Sequence, residues 1–566
     1  MSNKETANQT VSTKNPSLGR SSAIMFSGTL VSRILGMVRN AILVAALGAT
    51  GSGAADAFMT ANNAPTQIYN LLAGGVLNAV LVPQIVRALR SKNGEEQVNR
   101  LLTAAGTILL GITLLVTVAA PLVVTIYASQ IGQWRNLAIA FSFWCLPQIF
   151  FYGLYALWGQ VLNARSSFGP YMWAPVLNNL ISIASLLIYL QLYGQYTADN
   201  APSDWTSGRI ALLSGTATLG IAAQALILFI PLYRSGFRPK IVWGVRGIGL
   251  RKVSSVAMWA LLGFIVIGVA TPATTTLGSA AITASAQPEY ANVVVPSTTM
   301  FNNAFMVYML PQSLVTTSIV VALFTRMSEK AAAGDHAGVR DDYSLGLRSV
   351  AVFTVLFSAG IAVLSDSALQ VFIPSLTLEE AQASSLVLIG LALGVVPQGI
   401  WMTLQRVMMA YEDTKRLLFA CIPVGIIPVA VCIAAYFLSP ANYWMMWAAI
   451  ASSIANVAGA GVAFFLLRRY LPDLDGPRLI RTHALLILCA LPSAGVGLFV
   501  KHLLGPADAA SAALRFSHAF TTLLVVAAVM TVVYVLTAWL LRVPELQVLL
   551  RPLKKVSRKL GIGTKH

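Results

Sequence analysis

Two arginines, Arg33 and Arg39, stand in the first long apolar run of the sequence, SRILGMVRNAILVAALG from Ser32 to Gly48. A guanidinium in hydrocarbon costs roughly 2.5–3.5 kcal/mol even on lenient insertion scales. Its planar fork of donors grips phosphate oxygens in pairs, so fixed arginines in a wet cavity suit a phosphate-bearing anion. With the run starting near Ala23, Arg33 lies about 15 Å deep, near mid-bilayer, and Arg39 about 9 Å further on. Six residues of helix set the two side chains roughly 120° apart. They miss a common narrow stripe, yet both can line a wide cavity. Asp56 opens the second run, in GSGAADAFMT, where it is expected to hold Arg39 or to help gate that side. Asn62, Asn63, Asn70 and Asn78 of the same run offer further polar lining. A structural account competes: one arginine snorkels or pairs with Asp56, and the other caps backbone carbonyls. A mid-membrane guanidinium beside a polar, water-filled interior favours the binding role.

The elements that must position these residues are membrane helices. Of 566 residues, 57% are hydrophobic and 10% charged, against about 25% charged in soluble domains. Apolar runs of about 20 residues recur along the chain, each long enough to span a bilayer. Fourteen spans are expected, near 23–48, 56–86, 101–126, 136–163, 171–193, 210–232, 254–280, 292–325, 345–366, 384–408, 417–438, 443–467, 482–503 and 518–541. Pro65 and Pro311 predict kinks in the second and eighth.

The net charge of +18 sets topology rather than nucleic-acid binding. Basic residues crowd alternate loops: Arg87, Arg90, Lys92 and Arg100; then Arg234, Arg238, Lys240, Arg246, Arg251 and Lys252; then Arg468, Arg469, Arg478 and Arg481. The opposite loops hold Arg135, Arg209, Lys501 and Arg515. The positive-inside rule then places both termini in the cytoplasm. Residues 1–22 read as a disordered cytoplasmic segment without a signal-peptide pattern. Residues 542–566 read as a basic amphipathic tail, lying on the inner leaflet or simply solvated. RALRSKNGEE after the second span and RMSEKAAAGD after the eighth hint at two parallel repeats, an architecture that places substrate between bundles.

Several chemistries lack their residues. No GxxxxGK[ST] loop is present, nor HExxH or another metal-ligand spacing. Cys145, Cys421, Cys432 and Cys489 are scattered through apolar runs, and the five histidines are far apart. No acid lies clearly at mid-membrane, which counts against a proton relay. The expectation is a transporter, not an enzyme, with no cofactor and no metal.

SRILGMVRNAIL (32–43) followed by ADAF (55–58) resembles the start of the MurJ/MviN lipid II flippase family of the MOP exporter superfamily. PTQIYNLLAGGVLNAVLVPQ (65–84) keeps that family's spacing between two prolines. LNARSSFGPYMWAPVLNN (162–179) and AYEDTKR (410–416) are similar to its turns after the fourth and tenth spans. The resemblance runs from about residue 22 to 540. It implies an all-α integral membrane protein of about 14 transmembrane helices: an N-lobe at 23–232, a pseudo-symmetric C-lobe at 254–467, and two last helices at 482–541 whose groove takes a lipid tail. It also implies translocation of lipid II, the undecaprenyl-diphosphate-linked peptidoglycan precursor, across the bacterial cytoplasmic membrane by alternating access, for cell-wall synthesis and cell shape.

By match to the motif, Ser32, Arg33, Arg39 and Asp56 carry over as substrate-site residues. The chain departs from the family at two cavity arginines: Tyr69 and Asn70 stand after Pro65, and Met306 before Pro311. Asn70 is therefore added to the expected site. An acid of the seventh span that belongs to a sodium site in some members has no counterpart, although Asp413 matches a second element of it. The implied partners are lipid II, membrane lipids and cell-wall synthesis proteins. A flippase for another polyprenyl-diphosphate glycan and an inactive membrane scaffold of cell-wall synthesis are the alternatives, as is a membrane glycosyltransferase, for which the outer acids form no recognisable motif.

Overall fold

The computed structural model describes residues 18–48, 52–72, 94–165, 167–197, 201–244, 255–471, 473–506 and 511–545. Expectations for residues 1–17, for Asn78 and Pro83, for the basic residues at 87–92 and 246–252 and for the tail beyond 545 lie outside these. The described residues fold into fourteen helical runs with no strand among them. They are α1 (Leu18–Leu47), α2 (Gly53–Leu72), α3 (Gly94–Val118, continued by Ala120–Ala128), α4 (Gly132–Asn163), α5 (Phe168–Tyr193), α6 (Ser207–Arg234) and α7 (Ser255–Gly268, continued by Ala270–Ser285). Then come α8 (298–332), α9 (His336–Phe372), α10 (Leu378–Ala410), α11 (Thr414–Leu438), α12 (Ala441–Leu467), α13 (Gly476–Leu504) and α14 (Ala512–Leu540).

Twelve of these are long and apolar enough to cross a membrane. The two outside that set among the described residues, α2 and α8, are rich in Asn, Thr and Gln, and they pack on each other. Asn62, Asn63, Thr66 and Gln67 of α2 and Asn302 and Asn303 of α8 line an interior cavity rather than facing lipid. Large apolar side chains instead cover the outer surface, as with Leu115 at 71% exposure and Leu438 at 84%, the inverse of a soluble protein.

The helix pairing repeats along the chain. In the first half α1 packs on α5, α5 on α6, α6 on α4, and α4 on both α2 and α3. In the second half α7 packs on α11, α11 on α12, α12 on α10, and α10 on both α8 and α9. The last two helices, α13 and α14, pack on each other and on α9. Gly425 allows the α7–α11 contact: a Cβ there would sit 2.0 Å from the Val266 carbonyl oxygen.

The breaks repeat as well. α4 is interrupted between Cys145 and Gln148, beside Pro147, and α10 between Ala392 and Val395. Carbonyls released inside a membrane need new partners. Thr218 Oγ1 donates to the Trp144 carbonyl at 2.7 Å, and Gln312 Nε2 to the Val395 carbonyl at 2.7 Å. Of the two predicted kinks, Pro65 is accommodated within one continuous helix, whereas α8 passes into a π segment, Gln312–Thr316, directly after Pro311.

The start of the tail is not solvated. Val543 and Glu545 are buried, and Glu545 Oε1 meets Arg348 Nη1 of α9 at 2.5 Å. Arg348 Nε in turn donates to the Ser344 carbonyl at 3.2 Å, and Ser344 Oγ to Asp475 Oδ2 at 2.5 Å. This polar knot fastens α13 and α14 to α9.

Candidate functional site

A cavity of about 610 Å³ lies among α1, α2, α4, α5 and α6, closed on its far side by residues 302–309 of α8. Its wall carries nine carboxamide side chains: Asn40, Asn62, Asn63, Gln67, Asn178, Asn179, Gln224, Asn302 and Asn303. Hydroxyl groups of Thr66, Tyr152, Ser182, Ser185 and Thr216 add to them. Arg39 is the one charged residue of the described lining. With no carboxylate in that lining to neutralise it, its field draws anions into the cavity. The amides offer paired donors and acceptors, suited to sugar hydroxyl and acetamido groups.

Several lining groups already hold one another. Asn40 Nδ2 donates to Asn303 Oδ1 at 2.8 Å, joining α1 to α8. Asn179 Nδ2 donates to the Ser32 carbonyl at 2.8 Å and to its Oγ at 3.2 Å. Gln148, at the break of α4, bridges Asn62 and Thr218 at 3.1 Å each. The amide nitrogens of Asn302 and Asn303 are buried without a protein partner.

The expected site residues separate. Arg39 and Ser32 line the cavity. Arg33 does not; its Nη1 donates to Ser313 Oγ of α8, as the angular offset from Arg39 permits. Asn70 is exposed and lies outside the cavity lining, while Asn62 and Asn63 belong to it. The Tyr69 ring lies tilted at 5.8 Å from that of Tyr152, which hydrogen-bonds Thr66 near Arg39, and Met306 lines the wall.

Asp56 does not pair with Arg39. It is fully buried and holds the start of α8. Ser297 Oγ donates to its Oδ1 at 2.9 Å, Thr299 N at 2.8 Å, Thr298 N to its Oδ2 at 3.2 Å, and Thr299 Oγ1 also donates to Oδ1. The first N–H groups of a helix lack partners within it, and its N-terminus favours an anion. The cap residue Ser297 makes no capping bond of its own, so a carboxylate from the other half does that work. Gly278 makes room: a Cβ there would lie 2.3 Å from Thr298 Oγ1.

Asp413 sits just ahead of α11. Tyr470 Oη donates to it at 2.7 Å, Arg416 Nη1 at 2.8 Å and Arg416 N at 3.2 Å. Burial alone would raise its pKa, but these bonds outweigh burial and hold the carboxyl below its ordinary value. Its oxygens are committed to capping α11, and no group of three or more His, Cys, Asp or Glu among the described residues has metal-holding geometry.

The sequence profile described as lipid II flippase MurJ matches residues 43–507. The chain belongs to the MurJ lipid II flippase family. A probable lipid II flippase MurJ of Haemophilus influenzae is 27% identical over 251 residues, 42% of this chain and 46% of that protein. The lipid II flippase MurJ of Burkholderia cenocepacia is 34% identical over 164 residues, 28% of this chain and 31% of that protein. The chain thus spans less than half the length of these curated relatives. A solved structure of lipid II flippase MurJ in an inward closed conformation superposes with a TM-score of 0.67 at 18% identity, covering 92% of this chain and 98% of that one. The shared fold is that of an all-helical, multi-pass membrane protein.

Sequence reasoning missed the amides of α5, α6 and α8. A periodic run of Asn in an apolar helix signals a wet face, yet nothing local says which faces meet.

Proposed function

We propose that this protein flips lipid II from the inner to the outer leaflet of the cytoplasmic membrane by alternating access, as a transporter rather than an enzyme. The single observation that carries the reading is the Arg39 cavity, in a chain of the MurJ family. Arg39 would hold the diphosphate through charge-assisted bonds, and the amides would hold the neutral sugars. Arg33, on the seam between α1 and α8, would meet the diphosphate as the seam opens and Ser313 releases it. The carboxylate of Asp56 on the N-terminus of α8 would keep the outer side shut, and exchange between states would rock the two halves.

In this reading fourteen helices cross the membrane, both termini are cytoplasmic, residues 23–232 and 254–467 form the two lobes, and 482–541 guide the lipid tail. Membrane lipids and cell-wall synthesis proteins are the further partners. Among the described lining residues Arg39 is the one cation, with Met306 and Tyr69 where the family resemblance leads one to expect arginine. That favours, as a second reading, another polyprenyl-diphosphate glycan as cargo.

Reconstituted vesicles test both. Transport of lipid II that stops in Arg39→Ala supports the proposal. Transport of a polyprenyl-diphosphate glycan lacking muramyl peptide, with lipid II left in place, supports the second reading.

A further inference from the structure

A second recess lies on the membrane-facing side, apart from the cavity. Its walls include Ile126 of α3 and Gln130 in the turn after it, Ala273 and Thr276 of α7, and Ile433 and Phe437 of α11, around about 420 Å³. It shares no lining residue with the Arg39 cavity. Ile433 and Phe437 are exposed on a helix composed to cross a bilayer, so the medium that fills this groove is lipid.

The groove follows the seam between the two halves. α3 belongs to the first half of the helix pairing, and α7 and α11 to the second. Thr276 Oγ1 donates to the Ile126 carbonyl at 3.5 Å and Thr283 Oγ1 to the Gln130 carbonyl at 2.8 Å, so the same stretch of α3 that lines the groove also ties the halves. A cation reaches the Ile126 side of the groove without lining it. Arg135 is exposed, and its Nη2 donates to Thr125 Oγ1 at 3.2 Å, beside Ile126. That bond goes to a neutral hydroxyl, which leaves the charge available to a phosphate. An apolar slot with a cation beside it matches one molecule of the bilayer itself.

We propose that this groove binds one acyl chain of an anionic glycerophospholipid, with the phosphate on Arg135, and that the bound lipid stabilises the closed seam between α3 and α7. The transported lipid is a poorer match, because none of α3, α7 or α11 contributes to the cavity where its head group would sit.

The full chain in phosphatidylcholine vesicles doped with phosphatidylglycerol tests this, using phosphatidylglycerol that carries a diazirine in its acyl chain. After irradiation, peptides of 270–285 and 429–437 should carry more label than the lipid-facing surface of α13 around Leu491. Ile433→Trp, at an exposed position that tolerates bulk, should cut groove labelling about tenfold, and Arg135→Gln should do the same by loss of a charge-assisted bond. Labelling at α13 should be unchanged in both. Groove labelling equal to that of α13, or unmoved by either substitution, overturns the proposal. Displacement of the label by a polyprenyl diphosphate assigns the groove to the cargo's tail and overturns it equally.

Discussion

Replacing Asp56 with alanine should loosen the contact between the first half of the bundle and α8. Four hydrogen bonds end on this carboxylate, two of them from backbone N–H groups at the start of α8. A bond to a charged group contributes about 1.5–3 kcal/mol, and the helix N-terminus adds up to about 1 kcal/mol. The four share one desolvated carboxylate, so their contributions do not sum. A net value of about 3–4 kcal/mol is reasonable for the cluster, and each 1.4 kcal/mol is tenfold in a population. The closed arrangement should lose about two to three orders of magnitude against the open one. Spin labels on Ser203→Cys and Glu289→Cys, both exposed and in opposite halves, report the separation by double electron–electron resonance; the four native cysteines are buried. Asp56→Ala should lengthen and broaden the distances, and Asp56→Asn, which keeps one acceptor, should fall between. Identical distance distributions in all three proteins would refute the reasoning.

Other consequences are equally direct. Arg39→Ala should weaken binding of a diphosphate lipid at least tenfold, and Arg39→Lys less, because lysine keeps the charge but loses the fork; equilibrium binding in detergent measures both. Glu545→Gln strands Arg348 in a buried site and should cost about 3–5 kcal/mol in unfolding, whereas replacing both residues with leucine should cost far less; thermal unfolding of the purified protein decides. Gly278→Val should disrupt the Thr298 contact and mimic Asp56→Ala in the distance measurement. Asp413 has a depressed pKa, so its stabilising bonds are complete above about pH 4, the ordinary aspartate value, and are lost only as the pH falls through the lower folded value. Unfolding temperatures of the wild type and Asp413→Asn should therefore differ by a constant amount near neutral pH.

Helices were legible because an apolar run of bilayer length has one economical structure. The spans α2 and α8 are those whose polar residues face the interior cavity. At the site, Arg39 was legible from its cost in hydrocarbon, and Asn62 and Asn63 from their place on α2. Arg33 shares the same signal, but which of two guanidinium groups enters the cavity depends on helix rotation against α8, a tertiary property. Asp56 stood out as an acid at the opening of the second span, expected within reach of Arg39. Its partners did not, because the groups that satisfy it lie 241 to 243 residues further on and half of them are backbone N–H donors, which every residue type but proline supplies. The departure at Met306 is informative in the same way: the family resemblance leads one to expect a cation there, and the fold places the amides of Asn302 and Asn303 on the same cavity wall.

The central claim is that Arg39 holds the diphosphate of a flipped lipid. Cells depleted of their own lipid II flippase test it most directly, with a non-permeant outer-face probe scoring exposed lipid II. At equal membrane levels, the wild-type chain should restore exposure and Arg39→Ala should not. Full restoration by Arg39→Ala would contradict the account.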